Sequence, residues 1–281
     1  MQHAYEAGTL VAIIAGLTGY FVVLRKSAFT AHAFSEMGFA GAAGAVLVGI
    51  PPIAGLLIGS TTGGLAIATL AKKATNRDTQ IGIVLAFALG LGLLFISEYK
   101  AYATATYSIL FGEILGVSYN DVLLTSVAAV GIIACLALIY RPLLFASLDE
   151  DVAEAKGVPM LFLGTLFLVI VAVAVSFAVQ VTGVLLIFSL MVTPGATAQY
   201  LTRKPSTAII YSVAIALVAT WSGLFIAFYE QPPVSFFITG EVFAFYLIIR
   251  LVRQGIRPSK IAGTERQIPM ASPRRQINEL I

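Results

Sequence analysis

Charged side chains are scarce: they make up 11% of the 281 residues, against about 25% in a typical soluble domain. That shortage excludes an ordinary soluble globular fold, because too few polar groups remain to cover one. Cysteine is nearly absent. Cys135 is the only one and sits inside an apolar run, so no intrachain disulfide and no cysteine-based metal cage can form. No Gly-rich loop runs into Lys-Ser/Thr, so the chain has no phosphate cradle of its own for ATP. A nucleophile elbow, a His-Glu-x-x-His zinc motif and a Cys-x-x-Cys pair are also missing, which argues against an enzyme acting alone. Only His3 and Glu6 precede the first apolar run, so the basic leader of a cleavable signal is lacking. Period-two alternation is absent too, which argues against a membrane β-barrel.

What is present is apolar: hydrophobic residues make up 59% of the chain. They fall into nine segments, 8–24, 32–49, 52–71, 80–97, 121–140, 160–180, 183–202, 206–228 and 233–252. Runs of this length suit a bilayer whose hydrocarbon core takes about 20 helical residues to cross. Backbone groups facing lipid must be paired within their own segment, so the spans are helices. The expected fold is an all-α polytopic bundle of about nine transmembrane helices. Residues 1–253 form the transmembrane domain and 254–281 a polar cytoplasmic tail.

Basic residues follow every odd span: Arg25 and Lys26, then Lys72, Lys73 and Arg77, then Arg141, then Arg203 and Lys204, then Arg250, Arg253, Arg257 and Lys260. The short connectors between have none, and the longer 98–120 connector has only Lys100. The positive-inside rule then places the N-terminus outside and the C-terminus in the cytoplasm. The net charge of +3 is explained by this topology and not by nucleic acid. Within 98–120, the stretch Tyr107–Leu115 with Glu113 reads as an outer-surface or re-entrant helix. Glu98, Glu113, Glu230 and Glu241 lie near the expected outer boundary, mostly as solvated ends.

Small residues are dense at Gly38, Gly41 and Gly44 and again at Gly55, Gly59 and Gly63. Such residues let helices approach closely in lipid. They suit plain bundle packing first; the sharper reading is a helix that moves against its neighbour.

Two polar groupings carry candidate chemistry. His32 and Glu36 are four residues apart on one helix face, with Ser35 beside them. Ionisable groups inside a span are costly and mark candidate sites. Imidazole with carboxylate suits a first-row divalent ion, and two ligands suit a transient station better than a structural site. The competing reading is a His–Glu hydrogen bond that neutralises both groups. Ser189, Thr193 and Thr197 repeat every four residues toward Pro194 and Gly195. They form either a stripe lining a path or a set of hydroxyls bonded to the preceding turn of backbone.

The segment 146–157 is short, polar and coded for a helix on the cytoplasmic surface. Ser147 caps its start with Glu150 as reciprocal partner, and Asp149, Glu150 and Asp151 favour the positive dipole end. Leu148, Val152 and Ala155 share a face; Lys156 and Gly157 close the helix before Pro159. It is either a well-capped loop helix without a partner or a docking element for another protein.

Three stretches carry a resemblance to the membrane permease subunits of bacterial zinc, manganese and iron ABC importers. The first runs from Tyr20-Phe-Val-Val-Leu-Arg25-Lys26-Ser-Ala-Phe through His32-Ala-Phe-Ser-Glu36 to Gly-Phe-Ala-Gly41. It resembles the family's Val-Leu-Arg-Arg run followed by Asp-Ala-Leu-Ser-His and a small-residue helix. The second, Phe111-Gly-Glu-Ile-Leu115, is similar to Leu-Phe-Gly-x-Ile-Leu. The third joins Asp149, Ala153 and Gly157, similar to an Asp-x-x-x-Ala-x-x-x-Gly coupling segment, to Val181-Thr-Gly-Val-Leu-Leu and Thr193-Pro-Gly-Ala-Thr-Ala198. Carboxylate and imidazole are exchanged here, with His32 first and Glu36 second, and the usual following proline is Ala40.

The resemblance implies a bacterial inner-membrane permease, a homodimer around a central path. Cytoplasmic ATPase subunits, which bind the ATP, would dock on the 146–157 helices, and a separate extracytoplasmic protein would deliver the metal. The implied cargo is zinc first, manganese next, with iron a third. No cofactor is expected on this chain itself. The rival class is an ATP-independent secondary transporter or channel, though no internal repeat is evident. A purely structural membrane protein, indifferent to loss of His32 and Glu36, is the third.

Overall fold

The computed structural model describes residues 1–70, 77–98, 112, 114–229 and 233–256. Every regular element among them is helical. In chain order they are α1 Gln2–Leu24, α2 Ala28–Leu47, α3 Pro52–Leu70, α4 Arg77–Ser97, α5 Tyr119–Leu148, α6 Glu150–Ala155, α7 Met160–Thr182, α8 Val184–Leu201, α9 Pro205–Tyr229 and α10 Val234–Ile256. A 3-10 turn at Ile114–Gly116 precedes α5. Each of the nine apolar segments has its helix. The Tyr107–Phe111 part of the expected outer helix, Glu113, Glu230 and the tail from Arg257 lie outside the described residues.

Seven helices, α1, α4, α5, α7, α8, α9 and α10, are long and apolar enough to cross a membrane by length and composition. The apolar part of α3 is shorter, at Pro52–Ile67. α2 falls outside the seven because Gly, Ala, Ser, His and Glu take positions that Leu or Val hold elsewhere. Its placement explains why this is tolerated. α2 packs against α3, α4, α7 and α8, and Thr30, Ala31 and Ala33 through Ala40 are all buried. A helix enclosed by other helices does not need a lipid-compatible surface.

Close backbone contact holds this region together, as expected where lipid offers no hydrophobic drive between helices. A methyl group on Gly41 would run into the Gly55 carbonyl of α3, and one on Gly59 into the Met37 carbonyl. α1 meets α8 the same way at Gly19 and Gly195. Hydroxyl groups add directional contacts: Ser60 of α3 and Ser176 of α7 are 2.6 Å apart, and Ser212 of α9 donates to the Gly16 carbonyl of α1 at 2.8 Å. Trp221 Nε1 donates to Thr9 Oγ1 at 2.9 Å, tying the end of α9 to the start of α1.

Gly183 alone separates α7 from α8. Its φ of 82° and ψ of 163° lie in a region open essentially to glycine. The reversal there is tight, and Gly112 packs directly on the Thr182–Gly183 backbone.

The Lys and Arg whose side chains are described are Arg25, Lys26, Arg141, Lys156, Arg203, Lys204, Arg250 and Arg253. They lie toward one face. Arg25 at the end of α1 reaches Ser147 at the end of α5 (Nη1 to Oγ, 3.5 Å), and Lys156 approaches the Phe145 ring. Arg253 at the end of α10 donates to the Leu201 carbonyl at the end of α8, 2.8 Å away. The starts of α1 and α5 meet at the opposite face, where the rings of His3 and Tyr119 contact edge to face.

Candidate metal path and coupling surface

His32 and Glu36 stand one turn apart on α2. Glu36 is 5% exposed and His32 half-buried. His32 Nδ1 and Glu36 Oε2 are buried without a hydrogen-bond partner. The neutralising bond between the two side chains, the bland reading of the pair, is not formed. Burying unpaired polar atoms is costly and rare, so the pair is a place where stability has been given up. The imidazole ring packs against Phe188 of α8, with ring centroids 4.7 Å apart, and the Phe29 ring centroid lies 6.4 Å away. Ser35 is buried, and its hydroxyl donates to the His32 carbonyl at 2.7 Å. It therefore shapes the turn that carries His32.

No group of three or more His, Cys, Asp or Glu gathers among the described residues. Among the described residues, His32 and Glu36 are therefore a candidate pair without a third such group beside them.

α8 borders this site. Leu185, Phe188, Ser189, Val192, Thr193, Ala196 and Gln199 form its open side, partly or fully exposed along the helix. Ser189 and Thr193 are on that side. Thr197 is not: it is fully buried, and its hydroxyl donates to the Thr193 carbonyl at 2.7 Å. A spacing of four advances about 40° around a helix at each step, which turns the third residue of the stripe into the bundle.

At the basic face, the expected surface helix over 146–157 is shorter than its polar code suggests. α5 runs on through Pro142 to Leu148, and Ser147 belongs to its last turn, donating to the Leu143 carbonyl at 2.5 Å. The cap of α6 is Asp149 instead: its backbone is extended (φ −150°, ψ 100°), and its Oδ1 accepts from Val152 N at 3.0 Å. Ser147 as N-cap is therefore corrected to Asp149, because the i−4 carbonyl of a continuing helix captures the serine hydroxyl first. The other end closes as expected. Gly157 takes φ 83°, its N–H bonds Glu154 O at 2.9 Å, and Val158 N–H bonds Ala153 O at 3.1 Å, the pair of bonds of a Schellman cap.

Ala153 is completely buried and seats α6 on the bundle. Glu150, Asp151 and Ala155 are exposed, as are Leu148 at 64% and Val152 at 42%. The surface helix thus shows solvent an acidic edge and an unpartnered apolar edge together. A cavity of about 680 Å³ opens beside it, lined by Arg25, Lys26, Glu150, Glu154, Met160 and Thr165.

Two features escaped sequence reading. Phe188, the ring against His32, is an ordinary apolar residue in an apolar run. Glu241, expected near the outer boundary, lies two turns inside α10 and accepts a hydrogen bond from Ser222 of α9.

The chain as a whole is similar to known membrane proteins. The model of the ABC 3 transport family matches residues 1–253. The manganese transport system membrane protein MntC of Listeria monocytogenes is 31% identical over 233 residues, covering 81% of each chain. The high-affinity zinc uptake system membrane protein ZnuB of Buchnera aphidicola is 25% identical over 82% of this chain and 88% of its own. The solved structure of PsaBC from Streptococcus pneumoniae in complex with Fab superposes with a TM-score of 0.80 at 29% identity, covering 88% of this chain and 90% of that one. With nearly all its described helices inside the matched span, this multi-pass membrane protein belongs to the ABC 3 transport family.

Proposed function

We propose that the chain is the membrane permease subunit of an ATP-driven importer of divalent transition-metal ions. The observation that carries this reading is the buried, unpartnered pair of atoms His32 Nδ1 and Glu36 Oε2, one turn apart on α2. Two donors from one chain leave an ion's coordination unfinished. In a homodimer around a central path, two copies would supply four. The open side of α8, with Ser189 and Thr193, supports a path running beside that pair. ATP hydrolysis belongs to separate cytoplasmic subunits docking on α6, and capture belongs to an extracytoplasmic metal-binding protein.

Ligand chemistry alone favours zinc. Relatives named for manganese are 28 to 31% identical, one named for chelated iron 29% and one named for zinc 25%, so identity takes manganese first, iron second and zinc third. The basic face is taken as cytoplasmic by the positive-inside rule, with the start of α1 outside; the bacterial permease relatives support the inner membrane as its location.

The test is metal uptake in cells whose own importer is deleted. His32→Ala and Glu36→Ala each abolish manganese-dependent growth while the subunit still assembles with its ATPase. Normal uptake by both variants would overturn the role of the pair. Co-purification without any ATPase subunit would overturn the ATP-driven class in favour of a secondary transporter.

A further inference from the structure

Two hollows lie end to end on the outside of the bundle. The first is at the face opposite the basic residues, about 640 Å³, bordered by Tyr5, Glu6, Thr9, Tyr119, Leu123 and Trp221. The second is a trough of about 500 Å³ between α5 and α7, with Leu123, Val127, Gly131, Cys135, Val169 and Val173 among its walls. Leu123 borders both.

The two differ in chemistry. The trough is lined by apolar side chains only, apart from the Cys135 thiol. It follows α5 from Leu123 to Cys135, roughly 18 Å at the rise of an α-helix. That is close to one leaflet of a bilayer, about half of a 30 Å hydrocarbon core. The cup at its end has three aromatic rings and a carboxylate. His3 Nδ1 lies 3.0 Å from Glu6 Oε2, and the second oxygen has no partner among the described residues. Tyr and Trp at this level are membrane-interface residues, and their faces attract cations. A negative, aromatic cup joined to an apolar trough one leaflet long complements the shape of a lipid chain and the charge of an ammonium headgroup.

We infer that the α5–α7 trough and the Tyr5–Glu6–Tyr119–Trp221 cup together bind one phospholipid with an ammonium headgroup, its acyl chain along α5 and its amine at Glu6. Gly131 makes room for the chain: a Cβ there would meet nothing within 4 Å. The inference rests only on the chain's place in a bilayer, so its failure leaves the transport reading untouched, and loss of transport leaves it untouched.

Native mass spectrometry of the full chain, purified in mild detergent and offered phosphatidylethanolamine or phosphatidylglycerol, tests it. The expected result is one phosphatidylethanolamine retained in preference to phosphatidylglycerol. Glu6→Gln lowers that preference by about fivefold, the size of one exposed ammonium–aromatic or charge contact. Gly131→Phe places a ring in the trough from a position where a Cβ has open space, so it removes retention of either lipid while the thermal midpoint stays within error. Equal retention of both lipids by the native chain, or full retention by Gly131→Phe, would overturn the site. A disulfide-linked dimer through Cys135 on oxidation in native membranes would also overturn it, since a second copy would then cover the trough.

Discussion

Ser60 and Ser176 share a 2.6 Å hydrogen bond across the α3–α7 contact, and each also reaches a carbonyl of the other's helix: Ser60 that of Ala172 at 3.3 Å, Ser176 that of Leu56 at 3.2 Å. Both serines are fully buried. The pair joins the small-residue unit of α2 and α3 to the helix that follows α6. Hydrogen bonds between membrane helices contribute about 0.6 kcal/mol on average and up to about 1.7. Ser176→Ala is expected to lower stability within that range. Because the two hydroxyls act on one another, a double-mutant cycle with Ser60→Ala should show non-additivity, read from thermal unfolding in detergent. Strict additivity would mean that the bond between them contributes nothing.

Gly183→Ala should be costly although the substitution is small. An alanine cannot adopt φ 82° and ψ 163° without strain, and the expected penalty is about 1–3 kcal/mol. The control is Gly157→Ala, also at positive φ but with nothing near its Cβ, at the C-terminal cap of a short surface helix. A larger drop in melting temperature for Gly183→Ala than for Gly157→Ala is the result that checks this.

Asp149→Ala removes the cap of α6, worth about 1 kcal/mol, and should weaken ATPase-subunit co-purification. Ser147→Ala should leave co-purification near the native level, because that hydroxyl serves the last turn of α5. The reverse ranking would restore Ser147 as the cap.

Charge reversal at Glu150 and Asp151, both exposed, should reduce docking and coupled ATP hydrolysis without altering the thermal midpoint of the isolated chain. Unchanged coupling would leave α6 as a loop helix with no partner.

The His32→Glu, Glu36→His double variant keeps one imidazole and one carboxylate a turn apart in the opposite order. Each single alanine variant should lose tenfold or more in uptake, equivalent to about 1.4 kcal/mol. The double swap should recover more uptake than either. Failure of the swap alongside the alanine losses would show that the ring's position against Phe188 matters more than the ligand pair.

The spans were legible because apolar length, interrupted by basic or turn residues, is what a bilayer demands of a helix. α2 was legible as a helix even though its composition is poor for lipid, since its Gly and Ala spacing marked a surface meant for other helices. The true length of α5 was hidden. Arg141 and Pro142 read as a boundary, yet a helix continues wherever its backbone bonds do, and both residues are tolerated near a water-facing end. The choice between Ser147 and Asp149 as cap was hidden for a related reason: both can cap, and only the competing Leu143 carbonyl decides. His32 and Glu36 stood out by being ionisable inside an apolar run. That they do not bond one another, and that Phe188 from a distant helix lies on the ring, are properties of packing that no local pattern carries.

The single-residue joint at Gly183 has a mechanical meaning. With one residue between them, α7 and α8 have no slack: an axial shift of α7 must reappear at the start of α8 within the reach of one backbone hinge. α6 sits at the far end of α7, and α8 presents Phe188 to His32. α6 and the half-buried imidazole are thus joined through a folded crank of α7 and α8, and a stroke of a few ångströms at α6 has little slack of chain in which to be absorbed before Phe188.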